Sequence, residues 1–131
     1  MSRRKVINPG WASYAALTLS PAVVKNGMLF ISGLNAVGED GRLGAPGDIV
    51  NQTRIIYEKM AAILRAAGGS FVDVVKTVDY IVDRSDYRMT ADVRRDFFGS
   101  DFPAATGVVV KELLGRGVLI EIDAIAVLDD S

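Results

Sequence analysis

Two carboxylates lie within an otherwise apolar stretch near the end of the sequence. Glu121 and Asp123 alternate with apolar residues, so both project to the same side of a predicted strand. An ionised carboxylate among apolar residues is costly unless it is paired, hydrated or in use, and carboxylates can move protons or orient water. The alternative is that both face solvent, or pair with an Arg or Lys of a neighbouring subunit.

Composition narrows the chemistry available to these carboxylates. The 131 residues include no Cys and no His, which excludes disulfides, thiolate nucleophiles, Cys-ligated zinc and every Ser-His-Asp or Cys-His arrangement. Any acid–base chemistry must therefore use carboxylates, hydroxyls, Lys, Arg or Tyr. With 15 basic against 16 acidic residues the formal net charge is -1, which argues against a nucleic-acid partner.

Two further features have plain structural interpretations. Four glycines between positions 38 and 47 match neither the dinucleotide fingerprint nor the Walker loop, so they indicate a flexible loop. Trp11 and Tyr14 lie in a polar N-terminal stretch, where they either wall a pocket or pack the terminus against the domain. Packing is the interpretation that we favour from the sequence.

The elements that position these residues alternate between strands and helices. Residues 22–32 predict two strands around Lys25-Asn26-Gly27, because Asn-Gly supplies the positive φ angles of a tight turn. Apolar residues recur at helical spacing over residues 48–67, before Gly68-Gly69. Residues 74–82 follow as a strand that is rich in β-branched residues.

The second half of the chain predicts one more helix and two more strands. Ser85 is the expected N-cap of the helix, which should end near Gly99. Strands are expected over about residues 106–112 and 118–128, and the glycine-bearing turn between them, residues 114–117, favours antiparallel pairing.

The predicted elements make an α+β fold with two helices covering one face of a mixed sheet. The opposite face still carries Leu119, Ile125 and Val127, which predicts an association surface. We expect a single domain over residues 1–131, with no membrane-spanning segment and a cytoplasmic location.

Four segments of the sequence form a specific combination through their order and spacing. They are residues 20–33, residues 51–68 followed by 73–76, residues 102–104 and residues 121–126. Together they resemble the RidA/YjgF family of small trimeric proteins, over about residues 20–128. The resemblance implies a chorismate-mutase-like α+β fold and a homotrimer whose sheets form a central barrel. It also implies small-molecule ligand clefts at the subunit interfaces.

The resemblance also implies an activity and a set of residues. Members of the family hydrolyse enamines and imines of amino acids to keto acids and ammonia, without metal or organic cofactor. Their glutamate in the last strand corresponds to Glu121, the expected catalytic residue. The substrate-binding positions that the resemblance implies are Tyr14, the backbone of Gly33, Ala105, Thr106 and Gly107.

One motif departs from the family pattern. The Pro-Ala-Arg-Ser/Thr motif reads Pro103-Ala104-Ala105-Thr106 here, and a helix asparagine of active members aligns with Ala91. The guanidinium that would hold a substrate carboxylate is therefore missing at Ala105. Three hypotheses follow: an imine or enamine hydrolase with an unusual substrate, a small-ligand-binding trimer without catalysis, and an endoribonuclease or translation inhibitor, which the net charge and the lack of His disfavour.

Overall fold

The computed structural model describes residues 3–129 of the chain, which form one mixed sheet and two α-helices. The strands are β1 (Lys5–Ile7), β2 (Ala22–Lys25), β3 (Met28–Leu34), β4 (Val74–Ile81), β5 (Ala104–Val109) and β6 (Ile120–Val127). The helices are α1 (Ile49–Ala66) and α2 (Ala91–Phe98). The strand order is β1-β2-β3-β6-β4-β5, and β4–β5 is the parallel pair within the described residues.

The β2–β3 hairpin confirms the prediction from Asn-Gly. Asn26 and Gly27 have φ angles of 53° and 75°, which is the left-handed region that the tightest hairpin turns require. Lys25 pairs with Met28 across the turn. The turn thereby fixes the register of β3, the strand that delivers Gly33 to the cavity described below.

Helix α1 also forms where its periodicity predicts. The Asp48 side chain caps it by accepting a hydrogen bond from the Asn51 amide at 3.0 Å. At the other end, Gly68 follows the cap with φ +83°. The side chains of Ile56, Met60 and the rest of the apolar stripe are fully buried against the sheet.

The start of the second helix was predicted wrongly. Ser85 is not an N-cap, because its amide and hydroxyl both donate to Asp83 Oδ1, at 2.8 and 2.6 Å, in a local turn. A 3-10 turn, Tyr87–Thr90, then leads into α2, whose first residue is Ala91. The predicted end near Gly99 is confirmed.

The predicted pairing of the last two strands was also wrong. β5 does not pair with β6 but runs parallel to β4 at the sheet edge, while β6 lies between β3 and β4. Burial explains the difference, because alternate residues of β6 are almost completely buried whereas all six residues of β5 are exposed. The strand with the apolar face takes the centre of the sheet, and the glycine-bearing turn belongs to a long return connection.

The two faces of the sheet differ as the sequence predicts, except that Leu119 precedes β6 and packs against the buried core. Ile120, Ile122 and Ala124 of β6 lie under the helices and are at most 2% exposed. On the other face, Phe30 and Val127 keep 41% and 39% of their surface exposed. None of the described helices is long and apolar enough to cross a membrane.

Candidate functional site

A cavity of about 500 Å³ opens at one end of β3 and β6. Its walls come from the 3-10 turn Ala12–Ala16, the loop after β3, helix α1 and the start of β6. The lining residues are Trp11, Ser13, Tyr14, Leu17, Leu19, Gly33, Asn35, Val37, Gly38, Glu39, Lys59, Leu114, Gly115 and Glu121. The cavity thus contains three of the predicted site residues, Tyr14, Gly33 and Glu121.

Gly33 makes room for the Glu121 carboxylate. The β3–β6 register is irregular between Ile31 and Leu34, and Gly33 lies in that irregularity. A Cβ atom at Gly33 would lie 2.9 Å from Glu121 Cδ and nearer still to Oε2. Any larger residue would therefore displace the carboxylate, so glycine is required for this position of the Glu121 side chain.

The environment of Glu121 favours its neutral form more than water does. Burial raises the pKa of Glu121 above its ordinary value of 4.5, and the negative charge of Asp123 raises it further. The shift brings the carboxyl group closer to neutral pH, where it can both accept and return a proton.

The two carboxylates of β6 have different roles. Asp123 Oδ2 accepts a hydrogen bond from Tyr80 Oη at 2.9 Å, so this carboxylate is satisfied within the sheet. Glu121 lines the cavity instead. Neither is paired with an Arg or Lys among residues 3–129, and a pairing with a neighbouring subunit stays untested.

Trp11 and Tyr14 form an aromatic wall of the cavity. Their ring centroids lie 6.0 Å apart with an interplanar angle of 26°. Trp11 also packs against the core, so packing and pocket formation are combined rather than alternative. Burial, followed by the charges of Glu39 and Glu121, raises the pKa of Tyr14, which keeps its hydroxyl protonated and able to donate.

The sequence interpretation missed two charged residues of the cavity, Glu39 and Lys59. Lys59 Nζ donates to the backbone oxygens of Asn35 at 2.6 Å and Val37 at 2.5 Å. Burial lowers the pKa of Lys59, partly offset by Glu39. The missed signal was a lysine three residues after Ile56 and four before Ile63, on the buried side of α1.

Glu39 belongs to the same wall as Tyr14. Its carboxylate accepts hydrogen bonds from the Ser13 hydroxyl and, at 3.2 Å, from the Ser13 amide. It thereby ties the glycine-bearing loop to the aromatic turn. No sequence pattern predicts this contact, because Ser13 and Glu39 are 26 positions apart.

The other predicted binding residues lie elsewhere in the single chain. Ala105, Thr106 and Gly107 are exposed on the edge strand β5 and do not line the cavity. Lys76 Nζ donates to Thr106 Oγ1 at 2.7 Å. Strand β4 lies between β5 and β6, so these three residues are separated from Glu121 of the same subunit by the width of a strand.

A buried polar cluster lies behind Gly107. Asp79 is 3% exposed and accepts a hydrogen bond from Tyr87 Oη at 2.5 Å. Arg94 Nη1 lies 3.5 Å from Asp79 Oδ2, and its guanidinium carbon lies 5.1 Å from the centre of the Tyr87 ring. Burial raises the pKa of Asp79, although Tyr87 and Arg94 oppose the shift.

A metal site is not evident in the described part of the chain. Within residues 3–129 there is no group of three or more Asp or Glu side chains arranged to hold an ion. The cavity offers two carboxylates, one ammonium, one phenol, a serine hydroxyl, an asparagine amide and backbone groups. These suit binding and proton transfer to a small organic molecule.

Comparisons with known proteins agree with the geometry. A family model described as Endoribonuclease L-PSP matches residues 11–128. RutC family protein PH0854 of Pyrococcus horikoshii is 39% identical over 107 residues, which cover 82% of this chain and 84% of that protein. The 2-iminobutanoate/2-iminopropanoate deaminase of Capra hircus is 34% identical over 126 residues, which cover 95% of this chain and 90% of that protein.

The solved structures extend the likeness to the fold. The Rid-family protein YyfA from Yersinia pestis is similar with a TM-score of 0.87 and 34% identity, covering 96% of this chain and 100% of that one. This confirms the predicted α+β fold with two helices on a mixed sheet. The chain therefore belongs to the RidA/YjgF family, the family whose model is described as Endoribonuclease L-PSP.

Proposed function

We propose that this protein hydrolyses a small imine or enamine without a metal or an organic cofactor, with Glu121 positioning the attacking water. The observation that carries the proposal is the Glu121 carboxylate, held in a cavity of about 500 Å³ in the space left by Gly33. Its raised pKa suits a group that takes and returns one proton. The deaminase name of a relative supports the same reaction class.

The proposed chemistry needs only water and the chain's own groups. Glu121 accepts a proton from water as the water oxygen bonds to the imine carbon, and it passes that proton to the nitrogen, which gives a carbinolamine. The hydroxyl proton is then transferred to the nitrogen through Glu121 as the carbon–nitrogen bond breaks, which leaves the carbonyl compound, ammonia and the ionised carboxylate. One imine and one water give one carbonyl compound and one ammonia. The neutral Tyr14 hydroxyl is available to donate a hydrogen bond on the same wall.

The substrate is proposed to be different from an ordinary α-imino acid, or to be held differently. Ala105 stands where family members carry an arginine, and alanine has no hydrogen bond to offer a carboxylate. Hydrogen bonds to charged groups contribute about 1.5–3 kcal/mol each, and a bidentate pair adds geometric specificity. The loss of these hydrogen bonds weakens the binding of any substrate that is recognised through its carboxylate.

We also propose that the working form is a homotrimer with ligand sites between subunits. Two features support it: the uncovered sheet face that contains Phe30 and Val127, and strand β5, which is exposed along its whole length. A neighbouring β5 would bring residues 105–107 to a cavity that lacks them. Light scattering tests the assembly, and a stable monomer at micromolar concentration would remove the trimer and its intersubunit site.

Ammonia release from freshly generated imines tests the proposed reaction. Glu121→Gln keeps the shape and removes the charge, so turnover should fall about a hundredfold or more. Glu58→Gln, an equal charge change at an exposed helix position outside the cavity, should retain activity. Unchanged turnover of Glu121→Gln would mean that the carboxylate is structural.

A second candidate is a small-ligand-binding protein without catalysis, which Ala105 and Ala91 favour because both replace functional side chains of active members. Ligand-induced thermal shifts without ammonia release from any imine would support it. The endoribonuclease alternative has the net charge of -1 and the absence of His against it. Salt-dependent retention of RNA is the observation that would revive it.

A further inference from the structure

The charges around the cavity are unbalanced. Two carboxylates, Glu39 and Glu121, line it against a single ammonium, Lys59, and no arginine is among the lining residues from the described part of the chain. The Tyr14 hydroxyl adds no charge at neutral pH, and its pKa is raised further above the ordinary value of 10.0. The groups that this subunit contributes therefore present a ligand with an excess of negative charge.

Lys59 does little to offset that excess, because the chain itself uses the ammonium. Two of its three protons go to the backbone oxygens of Asn35 and Val37. These bonds tie helix α1 to the loop that follows β3. Lys59 therefore links two parts of the cavity wall, and at most one of its protons is left to donate to an anionic ligand.

The two carboxylates keep acceptor capacity for a ligand. Glu39 accepts two hydrogen bonds from Ser13, which leaves lone pairs on both of its oxygens. Among residues 3–129 no group donates a hydrogen bond to Glu121. The charges of both carboxylates raise the pKa of Tyr14, so the negative potential of both reaches its ring.

Much of the remaining lining is aromatic or aliphatic, with Ser13 and Asn35 as its other polar residues. Trp11 and Tyr14 contribute two stacked rings to it, and the face of an aromatic ring attracts cations. Leu17, Leu19 and Leu114 are exposed large hydrophobic residues of the same lining. Carboxylates beside aromatic faces form a suitable environment for a cation with an apolar body.

We propose that the ligand of this cavity is a small organic cation, an amine or protonated imine with an apolar body and no carboxylate, and that Glu39 is a residue that determines this specificity. The inference deepens the proposed function and rests on it for the reacting group. Protonated imines react with water faster than neutral ones because the positive nitrogen withdraws electrons from the carbon. A site that selects the cation therefore selects the reactive form.

Three probes of the same shape and different charge test the preference by calorimetry on the full-length protein at low salt. Benzylamine is cationic, benzyl alcohol neutral and benzoate anionic at neutral pH. Benzylamine should bind about tenfold more tightly than benzyl alcohol, and benzoate more weakly than both. The benzylamine preference should shrink as salt is added. Benzoate binding as tightly as benzylamine would overturn the proposal.

Matched variants assign the preference to Glu39. Glu39→Gln should weaken benzylamine binding about three- to tenfold and leave benzyl alcohol unchanged. Glu58→Gln carries the same charge change outside the cavity and should leave all three probes unchanged. Ser13→Ala removes one hydrogen bond to Glu39 without changing charge. A loss of benzyl alcohol affinity in this variant would show that the cavity wall itself has been disturbed. Equal weakening of all probes by Glu39→Gln would show that Glu39 only supports the fold and would overturn its assigned role.

Two outcomes distinguish the cation preference of the cavity from the proposed hydrolase activity. Glu121-dependent ammonia release in a protein that prefers benzoate would retain the hydrolase and reject the cation preference. A benzylamine preference in a protein that releases no ammonia from imines would retain the cation site and reject the hydrolase.

Discussion

Replacing Gly33 by Ala should disable the proposed hydrolase through the carboxylate rather than through the fold. The new Cβ would lie 2.9 Å from Glu121 Cδ and closer to Oε2, whereas ordinary contacts of a Cβ begin at 3.4 Å. The carboxylate must retreat by roughly 1 Å, and a displacement of that size costs about a hundredfold in rate when geometry matters. Gly33 is exposed and its φ is not in the left-handed region, so alanine imposes no backbone strain.

The assay is steady-state ammonia release from an imine substrate, with thermal unfolding measured in parallel. Gly33→Ala should lower kcat/KM about a hundredfold while the midpoint of unfolding stays close to that of the parent protein. The decisive comparison is the Gly33→Ala, Glu121→Gln double variant, which should be no worse than Glu121→Gln alone because both changes remove the same function. Full activity of Gly33→Ala, or multiplicative losses in the double variant, would refute the reasoning.

Three further predictions concern position 105 and the perturbed carboxyl groups. Ala105→Arg should create calorimetrically detectable binding of pyruvate with a gain of about 1.5–3 kcal/mol, and no binding at millimolar concentration would show that the cleft suits another ligand. The pKa of Glu121 is raised above 4.5. If Glu121 acts as a base, kcat/KM should fall on acidification with a midpoint above pH 4.5. A midpoint at or below 4.5 would contradict this role. The pKa of buried Asp79 is raised above 3.8, so the stability that its protonated form provides is fully present below 3.8 and is lost as pH rises through the folded-state pKa. In urea unfolding, the free energy of unfolding of Asp79→Asn should therefore rise relative to that of the parent protein as pH rises above about 4. The opposite slope would contradict the prediction.

Local periodicity predicted the elements that position the site. The alternation along β6 correctly placed Ile120 and Ile122 in the core and Glu121 on the other face, because strand geometry fixes which side chains share a face. Asn26 and Gly27 predicted the hairpin for a similarly local reason. These features depend only on neighbours in the sequence.

Pairing and cavity formation were harder to predict because they depend on distant residues. The position of β5 beside β4 follows from the competition between strands for the buried centre of the sheet, which no turn signal encodes. Glu39 joined the site through Ser13, and Lys59 through the backbone of a loop more than twenty positions away. Ala105 was identified by its motif, but the single chain leaves it far from Glu121.

The two sides of the cavity differ in how firmly the fold holds them. Glu121 lies on a strand that is hydrogen-bonded to β3 on one edge and β4 on the other, so freeing it requires opening the sheet itself. The aromatic turn is held by the side chains of Asn8 and Glu39, by its own backbone hydrogen bonds and by the packing of Trp11 against the core, and such local contacts can open at lower free energy than a central strand. Local opening of the turn can thus admit a ligand while the carboxylate stays in register, and amide exchange should be fast at residues 13–17 and slow along β6. Ligand access thus depends on a locally held turn, whereas the position of the carboxylate depends on the more stable sheet.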